Sequence, residues 1–388
     1  MVPNGWLLTN LEKLMEFKNG LNFTKKDSGE LIKIVGVGDF KDFSELVETG
    51  HLETVNVSNN IKKDELLESG DLLFVRSNGN KELIGRCLFF PKVNEKLSFS
   101  GFTIRGRVYL EKAIPEYIAY FARSSLMKQQ ISKGGGGTNI SNLSQQLLNN
   151  IVLLLPPLPE QKKIAQILST WDKAITITEK LLANSEQQKK ALMQQLLTGK
   201  QRFSKSNAHW KDGYLCDIAK ISKGKALSGK DLVNGIYPVI AGGKASPYNH
   251  NKYTHENAIT ISASGAYAGY VSYHPYKIWA SDCSVVTAKN DSILIFIYQL
   301  LTFLQEKIYS LQSGGAQPHI YPKDIGSLKI KIPSFQEQQE ISSVLSIADW
   351  EIKNIKQKLN CLKQEKKALM QQLLTGKKRV KIAEKNNA

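Results

Sequence analysis

The chain has no apolar run long enough to cross a bilayer. The longest, Ile293–Leu304 (ILIFIYQLLTFL), is about half to two-thirds of the required length, is followed by charge, and reads as a buried helix. The opening MVPNGWLLTN has no apolar core of the secretory kind. Cysteine is sparse: Cys87, Cys216, Cys283 and Cys361 are scattered without CxxC spacing or a histidine cluster. That excludes a disulfide scaffold and a zinc ribbon and points to a reducing, cytoplasmic setting. Catalytic signatures are missing too. No Asn-Pro-Pro-aromatic stretch occurs, so the tetrapeptide of adenine methyltransferases is absent, and Gly36-Val-Gly38 lacks the third glycine of a dinucleotide loop. Gly224–Asp231 (GKALSGKD) has phosphate-loop spacing but ends in Asp where a Ser or Thr must ligate magnesium, and reads as a basic turn. His250 and His255, in a loop rich in Tyr and Asn, read as polar contacts rather than metal ligands. No catalytic residue, metal site or cofactor is expected in this chain. One further absence is local: residues 213–333 contain no arginine, whereas residues 1–158 contain five.

What is present is positive charge and a repeat. The 388 residues carry 52 basic and 35 acidic side chains, a net charge of +17 spread along the chain. Such an excess favours a polyanionic partner, most often nucleic acid, with a broad footprint. The length suggests two to four units. KKALMQQLLTGK occupies residues 189–200 and returns unchanged at residues 366–377, and the 177-residue shift also aligns PPLPEQKKIAQILSTWDKAI (156–175) with PSFQEQQEISSVLSIADWEI (333–352).

Each copy reads as one long helix. Ser334-Phe-Gln-Glu337 has the capping-box form, the first copy begins near Pro157 and Pro159, and Gly199 and Gly376 stand at the stop. Between them, apolar positions alternate in steps of four and three. The first seam is Ile164, Leu168, Trp171, Ile175, Thr178, Leu182, Ser185, Lys189, Leu192 and Leu196. The second is Ile341, Leu345, Ala348, Ile352, Ile355, Leu359, Leu362, Lys366, Leu369 and Leu373. This is coiled-coil spacing, and a solitary seam of that length would be insoluble, so the two helices are expected to pair with each other. Lys189 and Lys366 would face each other in a parallel, in-register pair, which favours the antiparallel one. Two separate amphipathic helices on separate cores are the alternative.

The segments between the helices do not align. Each mixes short β-type runs, such as LIKIVGV (31–37), LLFV (72–75), AITIS (258–262) and SVVTA (284–288), with a helical stretch near its end, Pro115–Gln130 and Ile293–Tyr309. Similarity persists at their edges: Gly5-Trp6-Leu7 against Gly213-Tyr214-Leu215 at the start, and Gly136-Gly137 against Gly314-Gly315 before the end. The glycine run Gly134–Gly137 fits either a connector or a close backbone approach. The expected architecture is α+β: two α/β globules alternating with two long helices that pair as an antiparallel coiled coil, a pseudo-twofold repeat. The boundaries are 1–155, 156–200, 201–332 and 333–388.

Loops that could enter a major groove stand out by composition. In the first globule, residues 74–86 offer Arg76, Ser77, Asn78, Asn80 and Lys81 around an Asn-Gly turn. In the second, residues 242–253 and 262–274 offer Lys244, Tyr248, Asn249, Lys252, Tyr253 and Tyr267. An ordinary polar hairpin tip is the alternative for each. Because arginine makes the commonest guanine contact, the second globule is expected to read guanine with lysine or to favour A·T pairs.

These residues together resemble the specificity subunit of type I restriction-modification enzymes. The resemblance rests on the P-x-x-x-E-Q entry at Pro156 and Pro333, the L-S-x-x-D step at Leu168 and Leu345, and the LLTGK exit at Leu196 and Leu373. The GG-x-x-x-I approach at Gly136, Gly137 and Ile140, looser at Gly314, Gly315 and Ile320, and the G-[WY] opening complete the set. It implies a non-catalytic DNA-binding subunit whose two target recognition domains each read half of a bipartite target. It also implies helices that set the gap and dock two adenine-N6 methyltransferase subunits carrying S-adenosylmethionine, with two ATP- and magnesium-dependent restriction subunits joining them. A nuclease within the unaligned globules and a coiled-coil adaptor without DNA are the competing readings. Turnover by the isolated chain would favour the first, and absence of salt-sensitive DNA binding the second.

Overall fold

The computed structural model describes residues 2–22, 29–41, 44–58, 61–134, 142–203, 209–244, 246, 248–314 and 317–382. Gly136, Gly137, Ile140 and Gly315 lie outside these described residues. The fold is mixed α/β. Two compact units are formed, one from Met1–Ile177 with Leu359–Ala388, the other from Thr178–Lys358.

The first unit is built on a four-stranded antiparallel sheet in the order Met15–Asn19, Thr103–Val108, Leu72–Val75, Cys87–Phe89. The run LLFV is buried at every position, as expected of a central strand covered on both faces. A three-stranded sheet sets Gly29–Val35 between Glu53–Ser58, antiparallel, and Leu97–Phe99, parallel. A third, two-stranded sheet pairs Leu7–Asn10 with Val152–Leu155. Helices Pro115–Ala122 and Ser125–Gly134 follow the last strand of the large sheet, with proline at the first turn of the former. Tyr117, Ile118 and Phe121 bury against Leu72, Phe74, Ile164 and Leu168 in one core.

The second unit repeats this inventory with different sequence. Its four-stranded antiparallel sheet runs Ala219–Lys223, Cys283–Ala288, Ala258–Ser262, Val271–His274. A three-stranded sheet joins Asn249–His250, Tyr237–Ile240 and Trp279–Ala280, and a two-stranded sheet pairs Lys211–Tyr214 with Lys329–Ile332. The most apolar run of the sequence forms helix Leu294–Phe303, whose Phe296, Ile297, Leu300 and Leu301 lie in the core with Ile341 and Leu345.

The repeated segments are single helices, Leu158–Leu196 and Phe335–Leu374. At 1.5 Å per residue each is roughly 60 Å long. None of the twenty seam positions is exposed: Ile164, Leu168, Ile341 and Leu345 are fully covered and Trp171, Ile175, Leu182, Leu192, Leu359 and Leu369 half-covered. Each helix ends on a left-handed glycine, Gly199 at φ +70° and Gly376 at φ +68°. The Gln201 and Lys378 N–H groups reach back to the Gln195 and Gln372 carbonyls, and those of Gly199 and Gly376 to Leu196 and Leu373. These bonds satisfy carbonyls that the helix leaves open, in a geometry that only glycine adopts without strain.

The capping box at Ser334 forms by half. Ser334 Oγ accepts the Glu337 N–H at 3.3 Å, but the Glu337 carboxylate turns away to Arg202 and Trp210. A charged fork and an indole N–H outbid a backbone amide for a buried carboxylate.

Candidate nucleic-acid interface

In the first unit, strand Leu72–Val75 runs into residues 76–86 before Cys87–Phe89 returns beside it. Val75 N–H bonds the Arg86 carbonyl and Gly85 N–H the Val75 carbonyl, closing the loop at its base. Asn78 Oδ1 accepts the Asn80 N–H at 2.7 Å, and Asn80 Oδ1 accepts the Glu82 N–H at 3.1 Å, capping the short helix Lys81–Leu83. These asparagines shape the loop with their side-chain oxygens. Arg76, Ser77 and Asn78 are half-buried, Asn80 and Lys81 exposed.

Of the five arginines in this part of the chain, four are held internally. Arg105 is 1% exposed and donates to the Asp64 carbonyl, while Arg107 forks onto Asp71 at 2.8 and 2.7 Å. Arg86 donates to the Lys41 carbonyl, and Arg123 to those of Ala119 and Ser44. Among the described residues, the Arg76 side chain makes one long bond, 3.4 Å to the Gly101 carbonyl. Exposed Phe102 follows, its carbonyl accepting the Arg76 N–H.

In the second unit the candidate residues fall into two groups. Lys244 Nζ stands 5.1 Å from the ring centres of both Tyr267 and Tyr270. Tyr267 is 44% exposed on a short turn whose Gly265 has φ +77°. The other group gathers Lys252 and Tyr253 with Tyr237, whose ring lies 5.2 Å from that of Tyr253, and Lys277, 4.6 Å above it. Tyr248 and Asn249 are exposed between them in sequence, the latter on the edge strand. Cations over aromatic faces form platforms suited to bases and thymine methyls. His250 is buried, with Nδ1 3.1 Å from Val233 N and its ring edge-on to Trp279, and His255 Nδ1 meets Thr254 Oγ1. The Gly224–Asp231 turn is pinned: a Cβ at Gly224 would meet the Ser281 carbonyl oxygen at 2.3 Å, and Ser228 donates to Asp231.

Sequence alone did not expose the junctions that hold each unit to its helices. In the first unit, buried Glu160 accepts Trp6 Nε1 at 3.0 Å and both arms of Arg379 at 2.7 and 2.8 Å, and Trp6 packs beside Gly376. In the second, Glu337 accepts Trp210 Nε1 at 2.8 Å and Arg202 at 2.6 and 2.9 Å, with Trp210 over Gly199. These bonds hold both guanidiniums above their ordinary pKa. The neighbouring glutamine repeats its work as well: Gln161 accepts Ile114 N–H and donates to the Pro156 carbonyl, and Gln338 accepts Ile293 N–H and donates to that of Pro333. So the Glu-Gln entry and the Gly-Lys-x-Arg exit of opposite repeats meet. Trp210, not Tyr214, is therefore the counterpart of Trp6, because the junction needs an indole donor; Tyr214 is 45% exposed.

The seam lysines are also answered. Lys366 pairs with Asp172 in the first unit, and Lys189 with Asp349 at 2.6 Å in the second. Tyr120 donates to Asp172, and Gln299 to Asp349. In each unit, later positions on the first helix meet earlier positions of the second repeat: Glu160 with Arg379, just past the second helix, and Asp172 with Lys366, then Glu186 with Lys356 and Lys189 with Asp349.

The family model of the type I restriction modification DNA specificity domain matches residues 3–187 and again 207–364. The chain is 28% identical to a Methanocaldococcus jannaschii protein assigned as the type I restriction enzyme MjaX specificity subunit, over 98% of this chain and 95% of that protein. It is 23% identical to the type I restriction enzyme StySPI specificity subunit of Salmonella potsdam, over 88% and 81%. Its fold is similar to the crystal structure of the type I restriction-modification S subunit from M. genitalium, with a TM-score of 0.66 and 17% identity over 96% of this chain and 97% of that one.

Proposed function

The chain belongs to the family of type I restriction-modification DNA specificity subunits, non-catalytic in themselves, and from that premise we propose that its two units each read one half of a bipartite target. The helices pair as an antiparallel coiled coil, relate the two halves by a pseudo-twofold repeat, and set the unread gap. The observation that carries this is the reciprocal matching of the repeats: Asp172 with Lys366, Asp349 with Lys189, Glu160 with Arg379, Glu337 with Arg202. Identical junctions holding unlike recognition surfaces are what constant spacing with independent reading requires.

Within this reading, Arg76 reads guanine through its fork, with Ser77, Asn78, Asn80 and Lys81 beside it. Lys244 and Tyr267 form one contact group of the second unit, and Tyr248, Asn249, Lys252 and Tyr253 another. The helices dock two methyltransferase subunits that bring S-adenosylmethionine, and two restriction subunits bring ATP and magnesium. Trp350, 67% exposed on the second helix with apolar Ile347 at 63% three residues before it, supports the docking role, since tryptophan is among the side chains that dominate protein contacts.

Mapping N6-methyladenine in cells with and without the gene tests the proposal. One bipartite motif is expected to vanish with the gene; loss of a continuous motif would contradict the two-part reading.

A further inference from the structure

We propose that Phe102 is a base-reading side chain of the first unit, packing its ring on the C5 methyl of a thymine next to the guanine met by Arg76. The inference rests on the reading of the first unit as the reader of one half-site and adds to it a contact of a different chemistry.

Ser100–Thr103 is a four-residue turn, closed by the Thr103 N–H on the Ser100 carbonyl at 2.9 Å, with the Thr103 hydroxyl donating to the same oxygen at 2.7 Å. It carries the chain from strand Leu97–Phe99 to strand Thr103–Val108, that is, from the three-stranded sheet to the four-stranded one. Its neighbours leave it no slack. Leu21 N–H bonds the Phe99 carbonyl and Gly101 N–H the Leu21 carbonyl, at 2.8 and 2.7 Å. A Cβ at Gly20 would collide with the Ser100 carbonyl oxygen, so two backbones touch there and only glycine fits. At the tip of this turn stands Phe102, 63% exposed. Among the described residues it is the one exposed aromatic side chain of the first unit.

Single exposed apolar side chains are ordinary, and this one is set apart by its place. The Phe102 carbonyl accepts the Arg76 N–H at 2.8 Å and the Ser77 N–H at 3.4 Å. The Arg76 carbonyl in turn accepts the N–H of fully buried Leu143 at 2.8 Å. Arg76 Nη1 lies 3.4 Å from the Gly101 carbonyl, one peptide from the phenyl-bearing residue. The turn and the candidate reading loop are therefore one braced edge, with a guanidinium and an exposed phenyl on adjoining backbone.

Chemistry then selects what the phenyl reads. It has no donor or acceptor, and the one apolar group on a major-groove base edge is the thymine methyl. Guanine O6 and N7, the targets of an arginine fork, face the same groove. Successive base pairs are about 3.4 Å apart, so side chains on adjoining backbone meet neighbouring pairs. A ring wedged between base steps belongs to the minor groove and would carry Arg76 away from O6 and N7. The candidate aromatics of the second unit, Tyr248, Tyr253 and Tyr267, each carry a hydroxyl and can hydrogen-bond as well as pack. Phe102 distinguishes thymine through one methyl group alone.

The test is binding of the full chain to duplexes carrying the bipartite motif mapped by methylation, with each thymine replaced in turn by deoxyuridine, which removes only the C5 methyl. Wild type, Phe102→Ala and Phe102→Leu are compared. Loss of the methyl at one thymine, in one half alone, is expected to weaken wild-type binding about four-fold, the worth of one buried methyl group. Phe102→Ala is expected to bind both duplexes alike and to keep the wild-type melting temperature, since its ring is exposed; Phe102→Leu, still apolar, keeps part of the response. A wild type indifferent to every methyl overturns the contact, as does a response equally large in Phe102→Ala, or a half-site with no A·T pair beside its guanine. Reduced DNA bending by Phe102→Ala without a methyl response marks a wedge, and lost methyltransferase association with an unchanged response marks a protein contact; either overturns it. Failure of the half-site reading shows instead in the wild type, as equal affinity for the motif and for a scrambled duplex, and removes this contact with it.

Discussion

At the scale of the residue, the division of labour among arginines decides which side chains can recognise anything. A guanidinium committed to an internal carboxylate cannot also read guanine. Arg107→Gln is expected to destabilise the first unit by about 3–5 kcal/mol, because Asp71, 1% exposed, is left buried without its partner, and to leave sequence preference unchanged. Arg76→Gln should do the reverse, keeping the melting temperature and losing about 1–3 kcal/mol of discrimination at one G·C pair. Thermal melts beside competition binding separate the two. The absence of arginine from residues 213–333 was plain in the sequence. That Arg86, Arg105, Arg107 and Arg123 are committed was not, since their carbonyl and carboxylate partners lie up to 79 positions away in the chain.

A titrating residue supplies a pH prediction. His274 is buried with Nε2 2.9 Å from Thr260 Oγ1, and burial depresses its pKa from 6.5 to about 4. The unfolded chain then binds the extra proton between those values, so its neutral imidazole contributes stability above pH 6.5 that is lost as pH falls towards 4. The second unit should lose up to about 3 kcal/mol across that window. His274→Gln, measured by urea denaturation at pH 7 and pH 4.5, should flatten the dependence; an equally steep loss in the variant would assign it to other groups.

At the scale of the element, the two long helices were legible because their seams repeat in steps of four and three and their ends carry punctuation. Stability should follow that seam: Leu345→Ala, at a fully buried position, is expected to cost about 2–5 kcal/mol in chemical denaturation. The two stop glycines should not respond alike. Gly199→Ala incurs the cost of a left-handed backbone, about 1 kcal/mol, with its new methyl in ordinary contact with Trp210 at 3.6 Å. Gly376→Ala adds a collision with Pro3 at 2.4 Å and should lower the melting temperature further. The junctions were harder to see. Glu160-Gln161 and Glu337-Gln338 stood out as letters, but their partners Trp6, Trp210, Arg202 and Arg379 arrive from 127 to 219 residues away. The extension of the repeat by Gly-Lys-x-Arg was the available signal. Local similarity set Tyr214 against Trp6 instead, because alignment of neighbouring letters cannot register which side chain must donate to a buried carboxylate.

At the scale of the whole molecule, the proposed function joins constant helices to variable readers. The unaligned interiors hid the correspondence between the sheets of the two units, since strand pairings such as Gly29–Val35 with Leu97–Phe99 leave no periodic trace. Each of the two seam lysines is answered by an aspartate of the other repeat, which supports the antiparallel pairing proposed for the helices. The most direct measurement is a methylome comparison of cells carrying the wild-type chain, Arg76→Gln or Lys244→Gln. The account predicts that Arg76→Gln relaxes one half of the bipartite motif, Lys244→Gln relaxes only the other, and the gap stays fixed in both. A single substitution that altered both halves, or altered the gap, would contradict it.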